Sequence, residues 1–148
     1  MSVFDPESFL NQDFTEKLDT TYPVLPEGTY RATISRVEAR NIQFRDGNSA
    51  PALEVTFDVE AGDAAKEIGR ERLSVRHTIF LNLDGKGRLD PKNNQALARL
   101  REAVGQLDIS PWSPRMLQGA GPVYVLVTVG QSASGTDYNN IRKITPAE

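Results

Sequence analysis

The sequence predicts a mainly β domain of five strands, with one helix between the third and the fourth strand. Five segments alternate apolar and polar residues with the period of two that a half-buried strand requires. Between the third and the fourth segment, apolar residues recur at helical spacing instead. The order β-β-β-α-β-β is that of the five-stranded Greek-key barrel called the OB-fold. We therefore predict an OB-fold domain over residues 28–148, preceded by an N-terminal arm over residues 1–27.

The first predicted strand begins near Thr29 and contains a change of phase. Its apolar residues alternate up to Ile34, and the apolar phase then shifts by one residue to Val37 and Ala39. A β-bulge produces such a shift, and barrels use bulges to curl long strands. A turn is expected at residues 45–49, which are rich in turn-forming types. The second strand follows and is the clearest of the five, because Leu, Val, Phe and Val alternate strictly with polar residues.

The third predicted strand, residues 72–83, has two different faces. One face is apolar and carries Leu73, Val75, His77, Ile79 and Leu81. The other face carries Arg72, Ser74, Arg76, Thr78 and Phe80.

The helix is predicted from Asp90 to Gly105. Asp90 fits the N-cap and Pro91 the first helical position, while Gly105 fits the left-handed residue that ends a helix. The fourth strand is expected over residues 123–129 and the fifth over residues 138–144, with a small polar tip between them.

Composition excludes several classes of site. The 148 residues include no cysteine, which excludes disulfides, thiolate zinc sites and thiol nucleophiles. His77 is the only histidine, so there is no spacing typical of metal ligands, and a buried or barrel-end position is expected for it. We predict no enzyme, no metal and no cofactor. The sequence has neither an apolar run of about 20 residues nor a signal sequence, which predicts an intracellular protein with no membrane partner.

The net charge of −3 argues against strong binding to duplex DNA. A net negative charge is compatible with a local basic groove on an otherwise acidic protein, as in proteins that bind single-stranded nucleic acid. Only five of the 17 basic residues are lysines, and arginine both binds phosphate in a bidentate way and stacks on bases.

The third strand holds the main candidate binding residues. Arg72, Arg76 and Phe80 share its outward face, where they offer two phosphate contacts and one surface on which a base can stack. In OB-folds the face of strands 2 and 3 is the usual binding surface. The alternative is that Glu54 and Asp58 of strand 2 pair with these arginines across the strands.

Two loops could flank this face. The first places Phe44 beside Arg45, and the second leads into Tyr138. An exposed Phe44 would suit base stacking; alternatively, its ring closes the end of the barrel. Trp112 and Tyr124 are expected to be packing residues.

The arm starts with a helix signal, since Asp5 can cap a helix whose first residue is Pro6. Its large apolar groups are too many to leave in water, and they are Phe4, Phe9, Leu10, Phe14 and Leu18. We expect the arm to fold back on its own domain. Docking on a neighbouring subunit, which would make a homo-oligomer, is the alternative.

Several short patterns along the chain point to a family. They are Leu25–Tyr30, Pro51–Thr56, Arg76–Leu81, Asn94–Gly105, Pro111–Pro114 and Tyr138–Ile141. With them the sequence resembles the small OB-fold single-stranded-DNA-binding proteins that tailed bacteriophages encode in their replication module. The resemblance implies a non-enzymatic protein of the host cytoplasm that binds single-stranded DNA with weak sequence preference. The alternatives are a structural virion protein, for capsid decoration or the tail, and a protein-binding adaptor or inhibitor.

Overall fold

The structure is a computed structural model that describes residues 4–16, 18 and 23–147. One antiparallel sheet of five strands forms most of it. The strands are β1 Gly28–Gln43, β2 Ser49–Glu60, β3 Arg72–Phe80, β4 Val123–Gln131 and β5 Asp137–Pro146. Their order in the sheet is β3-β2-β1-β4-β5. The predicted mainly β class with five strands is therefore confirmed.

The helical segments are short and lie outside the sheet. They are α1 Pro6–Leu10, a 3₁₀ turn Gly62–Ala64 that leads into α2 Ala65–Ile68, α3 Gln95–Ala103, and a second 3₁₀ turn Pro114–Leu117. In chain order α3 follows β3 and precedes β4. No helix among the described residues is long and apolar enough to cross a membrane.

β1 is a long strand that joins the two halves of the sheet. Its first residues, 28–32, pair with β4, and residues 32–43 pair with β2. The register with β2 shifts between Ile34 and Arg36, so Ser35 is the extra residue of the predicted bulge, which is confirmed. A bulge bends its strand and increases the local twist, which lets one strand serve two partners in succession.

The core lies between the inner face of the sheet and one side of α3. Side chains that are almost completely buried include Leu53, Val55, Phe57, Val59, Val75, Ile79, Val123, Val125 and Val127. The helix adds Leu97, Leu100 and Ala103. Full burial of one such large side chain contributes about 1.5–3 kcal/mol.

Leu25 anchors the segment that precedes β1. Its side chain is fully buried, and its backbone is held by the side chain of Asn139 in β5. The amide nitrogen of Asn139 donates to the Leu25 carbonyl at 2.9 Å, and the amide oxygen accepts from the Leu25 N–H at 2.8 Å. One asparagine thus replaces a pair of sheet hydrogen bonds and fixes the root of the arm.

β3 and β5 form the two edges of the sheet. Because every neighbouring pair is antiparallel, the two edge strands run in the same direction. They lie close to each other without a hydrogen-bonded ladder, and α3 contacts β5. The sheet is therefore open between β3 and β5, whereas a closed barrel was predicted.

The predicted start of the helix is wrong. α3 begins at Gln95, because Asp90 accepts a hydrogen bond from the Lys92 N–H at 2.9 Å and so closes a turn of its own. Asn94 precedes the helix without capping it, since its side chain bonds both the N–H and the carbonyl of Asn82, at 2.9 and 2.8 Å. These contacts tie the start of α3 to the chain that leaves β3.

The structure confirms one smaller prediction and corrects two others. Gly105 follows α3 with a φ of 75°, which confirms it as the left-handed stop. β3 ends at Phe80, three residues before the predicted end at Leu83, which instead bridges Leu89 in a short loop. Tyr124 was expected to pack inside, but it lies on the outer face of β4 and is exposed.

Trp112 is a packing residue, as predicted. The Arg101 guanidinium lies 4.1 Å from the centre of its ring. That guanidinium also donates to the carbonyls of Gln106, Leu107 and Ile109, at 2.9–3.1 Å. This contact set holds the long connection from α3 to β4.

The described apolar residues of the arm between Phe4 and Leu18 do not pack on the domain, contrary to the expectation. α1 forms as predicted, with the Asp5 carboxylate accepting from the Glu7 N–H at 3.3 Å. The five large apolar side chains of the arm are nevertheless 57–82% exposed, namely Phe4, Phe9, Leu10, Phe14 and Leu18. A helix of five residues presents too little apolar surface to hold itself against the sheet. Residues 17 and 19–22 lie outside the described part of the chain.

We predict that His77 makes stability depend on pH. The side chain is half-buried on β3, and burial lowers the pKa of its imidazole below the ordinary value of 6.5. The unfolded chain therefore takes up the proton at a higher pH than the folded protein does. The free energy of unfolding should therefore be unaffected by His77 above about pH 7.5. It should decrease as the pH falls through 6.5 towards the pKa of the imidazole in the folded protein.

Urea unfolding between about pH 7.5 and about pH 5 measures this effect in the wild type and in His77→Gln. The wild type should lose more free energy of unfolding on acidification than the variant does, because only the wild type carries the imidazole. If the free energy of unfolding depended on pH equally in the two proteins, His77 would not be the group responsible.

Candidate functional site

The outer face of β1, β2 and β3 is a surface of alternating charges, called here the arginine face. Side chains alternate along a strand, so the residues between the core positions collect on this side. Its cations are Arg31, Arg36, Arg40, Arg72 and Arg76. Its carboxylates are Glu38, Glu54, Asp58 and Glu60. Five arginines against four carboxylates leave one net positive charge on a chain whose net charge is −3.

Ion pairs cross the arginine face between strands. The Arg72 guanidinium lies 2.8 Å from the Asp58 carboxylate, and Arg76 lies 3.3 Å from Glu54. Glu54 also pairs with Arg40 of β1 at 2.9 Å, so one carboxylate bridges two arginines. The predicted alternative, cross-strand pairing of Glu54 and Asp58 with the two arginines of β3, is thus confirmed.

The remaining ion pairs lie on the same face. Arg31 approaches Glu60 at 3.6 Å, Arg36 pairs with Glu38 within β1, and Arg72 adds a longer contact to Glu60 at 3.9 Å. The arginine side chains of this face are 55–73% exposed. Pairs between two exposed side chains contribute about 0–1 kcal/mol each, so a competing anion can take over such a guanidinium at small cost. The two pairs of Glu54 differ, because its side chain is only 12% exposed and would be costlier to leave without a partner.

A groove of about 700 Å³ lies where β3 and β5 begin. Three of the predicted site residues line it together, namely Arg72, Arg76 and Tyr138. Arg70 and Asn139 also line it, and the segment Pro23–Val24 forms part of the wall. The groove therefore joins guanidinium groups to an aromatic ring across the open side of the sheet.

Two further predicted residues, Phe44 and Phe80, form an aromatic pair at the other end of β3. Their ring centres are 5.9 Å apart, and the side chains are 45% and 50% exposed. Phe80 is the last residue of β3, and Phe44 follows β1 directly. The loop that carries Phe44 is closed by a hydrogen bond from its N–H to the Asn48 carbonyl at 2.7 Å.

The six predicted residues thus fall into two groups on one side of the molecule. Phe80 lies four residues beyond Arg76, or about 13 Å along an extended strand. Arg45 belongs with the aromatic pair, because it follows Phe44 in the exposed loop. Arginines therefore occupy the middle of the surface, with aromatic rings at both ends.

Tyr138 is positioned by a glycine opposite to it. Gly130 of β4 is its partner in the sheet, and the tip of the ring covers the place where a side chain would begin. A Cβ at residue 130 would lie 2.8 Å from Cζ of the ring and 2.9 Å from its hydroxyl oxygen. Gly130 is thus required for the orientation of this ring.

Sequence reasoning missed three arginines near the site. Arg31 and Arg36 lie on the arginine face on either side of the bulge, and Arg70 lines the groove from the connection before β3. Arg31 and Arg36 occupy polar positions in the alternation of the first strand, and this pattern could have identified them. Arg70 carries no periodic signal, because it lies outside the strands.

Within the part of the chain that the structure describes, no group of three or more His, Asp or Glu side chains could hold a metal ion. No known protein family matches the sequence, and no similar protein is found among curated sequences. The resemblance to phage single-stranded-DNA-binding proteins therefore stays a prediction.

We predict that Gly130→Ala and Tyr138→Ala are energetically coupled. In the wild-type background the new methyl group must displace the Tyr138 ring, and such overpacking costs about 1 kcal/mol or more. In the Tyr138→Ala background the obstacle is gone, and the same change should be neutral or stabilising, since alanine orders more easily in a strand. A double-mutant cycle from urea unfolding gives the coupling free energy. Additive effects would show that the ring does not lie over Gly130.

Proposed function

We propose that this protein binds single-stranded DNA with weak sequence preference and without enzymatic activity. One observation carries the proposal: arginines line the middle of one surface and exposed aromatic rings stand at both of its ends. Single-strand binders combine a basic path for the backbone with rings on which bases stack. Each stacked base adds about 1–3 kcal/mol, whatever its identity, because every base has a π-face.

We further propose that the sheet is a variant of the OB-fold. The strand order, the parallel approach of β3 to β5 and the position of α3 in the chain support this assignment. OB-folds bind oligonucleotides on the face of strands 2 and 3, between the loops that join strands 1 and 2 and strands 4 and 5. Phe44 and Arg45 come from the first of these loops, and Tyr138 lies at the end of the second.

The ion pairs weaken the binding without preventing it. A phosphate must compete with Asp58 for Arg72 and with Glu54 for Arg76. The more exposed Arg72–Asp58 pair costs little to break, and Glu54 keeps Arg40 as its partner when Arg76 leaves. The Glu54 side chain is only 12% exposed, so it stays close to the bound strand and repels phosphate. Moderate affinity with a large contribution from stacking is the result.

The resemblance of the short sequence patterns supports a role in the replication module of a tailed phage, in the host cytoplasm. The net charge of −3 fits a protein that discriminates single strands from duplex DNA. The site holds few groups aimed at base edges, which fits weak sequence preference.

We predict that the double variant Arg72→Glu/Arg76→Glu binds oligo-dT at least about 10-fold more weakly than the wild type at low salt, because two phosphate contacts become repulsive. Fluorescence anisotropy with a labelled oligonucleotide measures both affinities. The dependence on salt should also become shallower, since fewer phosphates are neutralised.

The matched control is Lys66→Glu/Arg115→Glu, which changes the net charge equally at exposed positions away from the arginine face. It should bind nearly as the wild type does. Thermal unfolding followed by circular dichroism must show that both variants fold. Equal affinities of the two double variants, or no binding by the wild type, would refute the proposal.

We predict that Phe44→Ala and Phe80→Ala each weaken binding by about 5-fold or more, the lower end of the energy of one stacked base. The dependence of affinity on salt should stay as in the wild type, because no phosphate contact is lost. Anisotropy titrations at several salt concentrations separate this behaviour from that of the arginine variants. The control Phe9→Ala removes an exposed ring from the arm and should bind normally to an oligonucleotide too short to reach two sites.

A second candidate function is that of a structural virion protein or protein-binding adaptor. The exposed apolar residues of the arm favour it, because such groups usually attach a protein to another one. Co-purification with intact particles, together with no affinity for oligonucleotides, would support this function over DNA binding.

A further inference from the structure

The described part of the arm is both acidic and apolar. Phe4 and Phe9 stack at 5.3 Å between their ring centres, yet both remain exposed, as do Leu10, Phe14 and Leu18. Between Phe4 and Leu18 the sequence has four carboxylates, Asp5, Glu7, Asp13 and Glu16, and one lysine, so the segment is net acidic. A surface that accepts this segment must offer an apolar floor and basic side chains around it.

A groove with these properties lies between α3 and the end of β5. Its volume is about 500 Å³. Leu100, Ala103 and Ile141 are buried and form the apolar floor. The charged side chains that line it are Arg99, Glu102, Arg142 and Lys143. Three cations against one carboxylate make the groove basic, although the whole chain is acidic.

The arm of the same chain does not occupy this groove. Asn139 fixes the root of the arm at Leu25, and the described residues 4–16 and 18 stay exposed. The arm therefore has exposed apolar side chains and carboxylates without a matching surface in its own copy, and the groove has cations of the complementary charge. A second copy of the chain carries both.

We propose that the arm of one copy docks in the α3–β5 groove of a second copy, and that the exchange is reciprocal in a two-fold symmetric dimer. Each copy then gives one arm and receives one, which closes the assembly and prevents chains of copies. The phenylalanines and leucines of the arm cover the apolar floor, and its carboxylates face Arg99, Arg142 and Lys143.

The dimer leaves the proposed DNA site open. The α3–β5 groove and the groove beside Tyr138 share no lining residue. Dimerisation places two DNA-binding surfaces in one particle, and binding at both sites raises the apparent affinity for a strand long enough to reach them. The proposal stands on the arm and the α3–β5 groove, so it does not require that the protein bind DNA.

A charge exchange between two full-length variants tests the proposal. Variant one has a basic arm, Glu7→Lys/Asp13→Lys/Glu16→Lys, and keeps its basic groove. Variant two keeps its acidic arm and has an acidic groove, Arg99→Glu/Arg142→Glu. Each variant alone should dissociate at least about 10-fold more readily than the wild-type dimer, because arm and groove now repel each other. In an equal mixture every arm meets a groove of opposite charge, and a heterodimer should form.

Sedimentation velocity over a range of concentrations measures the assembly state. The variant Phe9→Ser/Phe14→Ser should also be monomeric, and circular dichroism should show unchanged folding, since all the substituted side chains are exposed. A monomeric wild type, a dimer that persists in both charge variants, or a mixture that stays monomeric would each overturn the proposal. Oligonucleotide binding by a monomeric variant shows separately whether the proposed DNA site functions.

Discussion

The pairing of β1 with two partners is the constraint on which the rest of the structure depends. One end of this strand pairs with β4 and the other with β2, and the bulge at Ser35 lies close to the change of partner. Without the bulge, the alternation of side chains beyond Ile34 would be reversed, and a single-residue slip sends core residues to the solvent. The bulge therefore keeps Val37 directed inwards and the outer arginines on one surface, from Arg31 to Arg40.

The arginine face shows how a surface can be both self-neutralised and ready to bind. Its carboxylates hold the guanidinium groups in place across the strands, but the arginine side chains remain more than half exposed and accessible to a second anion. The aromatic rings are not held by ion pairs; Phe44 and Phe80 contact each other but each stays about half exposed and accessible to a base. Stacking therefore sets the strength of the proposed interaction, and the arginines set the path of the backbone.

Local patterns predicted much of the fold, including the phases of β2 and β3, the bulge, the Asp5 cap and the Gly105 stop. The errors arose where distant contacts decide the outcome. Asn94 lies before α3 but bonds the chain after β3, and no local pattern reveals that. At the site, the sequence placed Arg72, Arg76 and Phe80 on one face. Only the register could show that Glu54 reaches Arg76 and Arg40 together, and only the meeting of β3 with β5 brings Tyr138 to the arginines.

Glu54 pairs with two arginines, so one guanidinium can exchange this carboxylate for a phosphate while the other remains bound to it. When Arg76 turns to a phosphate, the carboxylate still holds Arg40 and is not left without a partner. When Arg72 turns to a phosphate, Glu60 keeps Arg31, whereas Asp58 loses its ion-pair partner and attracts cations from the solution. The uptake of these cations offsets part of the counterion release from the nucleic acid. Binding of an anionic ligand by such a surface is less sensitive to ionic strength than its number of arginines suggests.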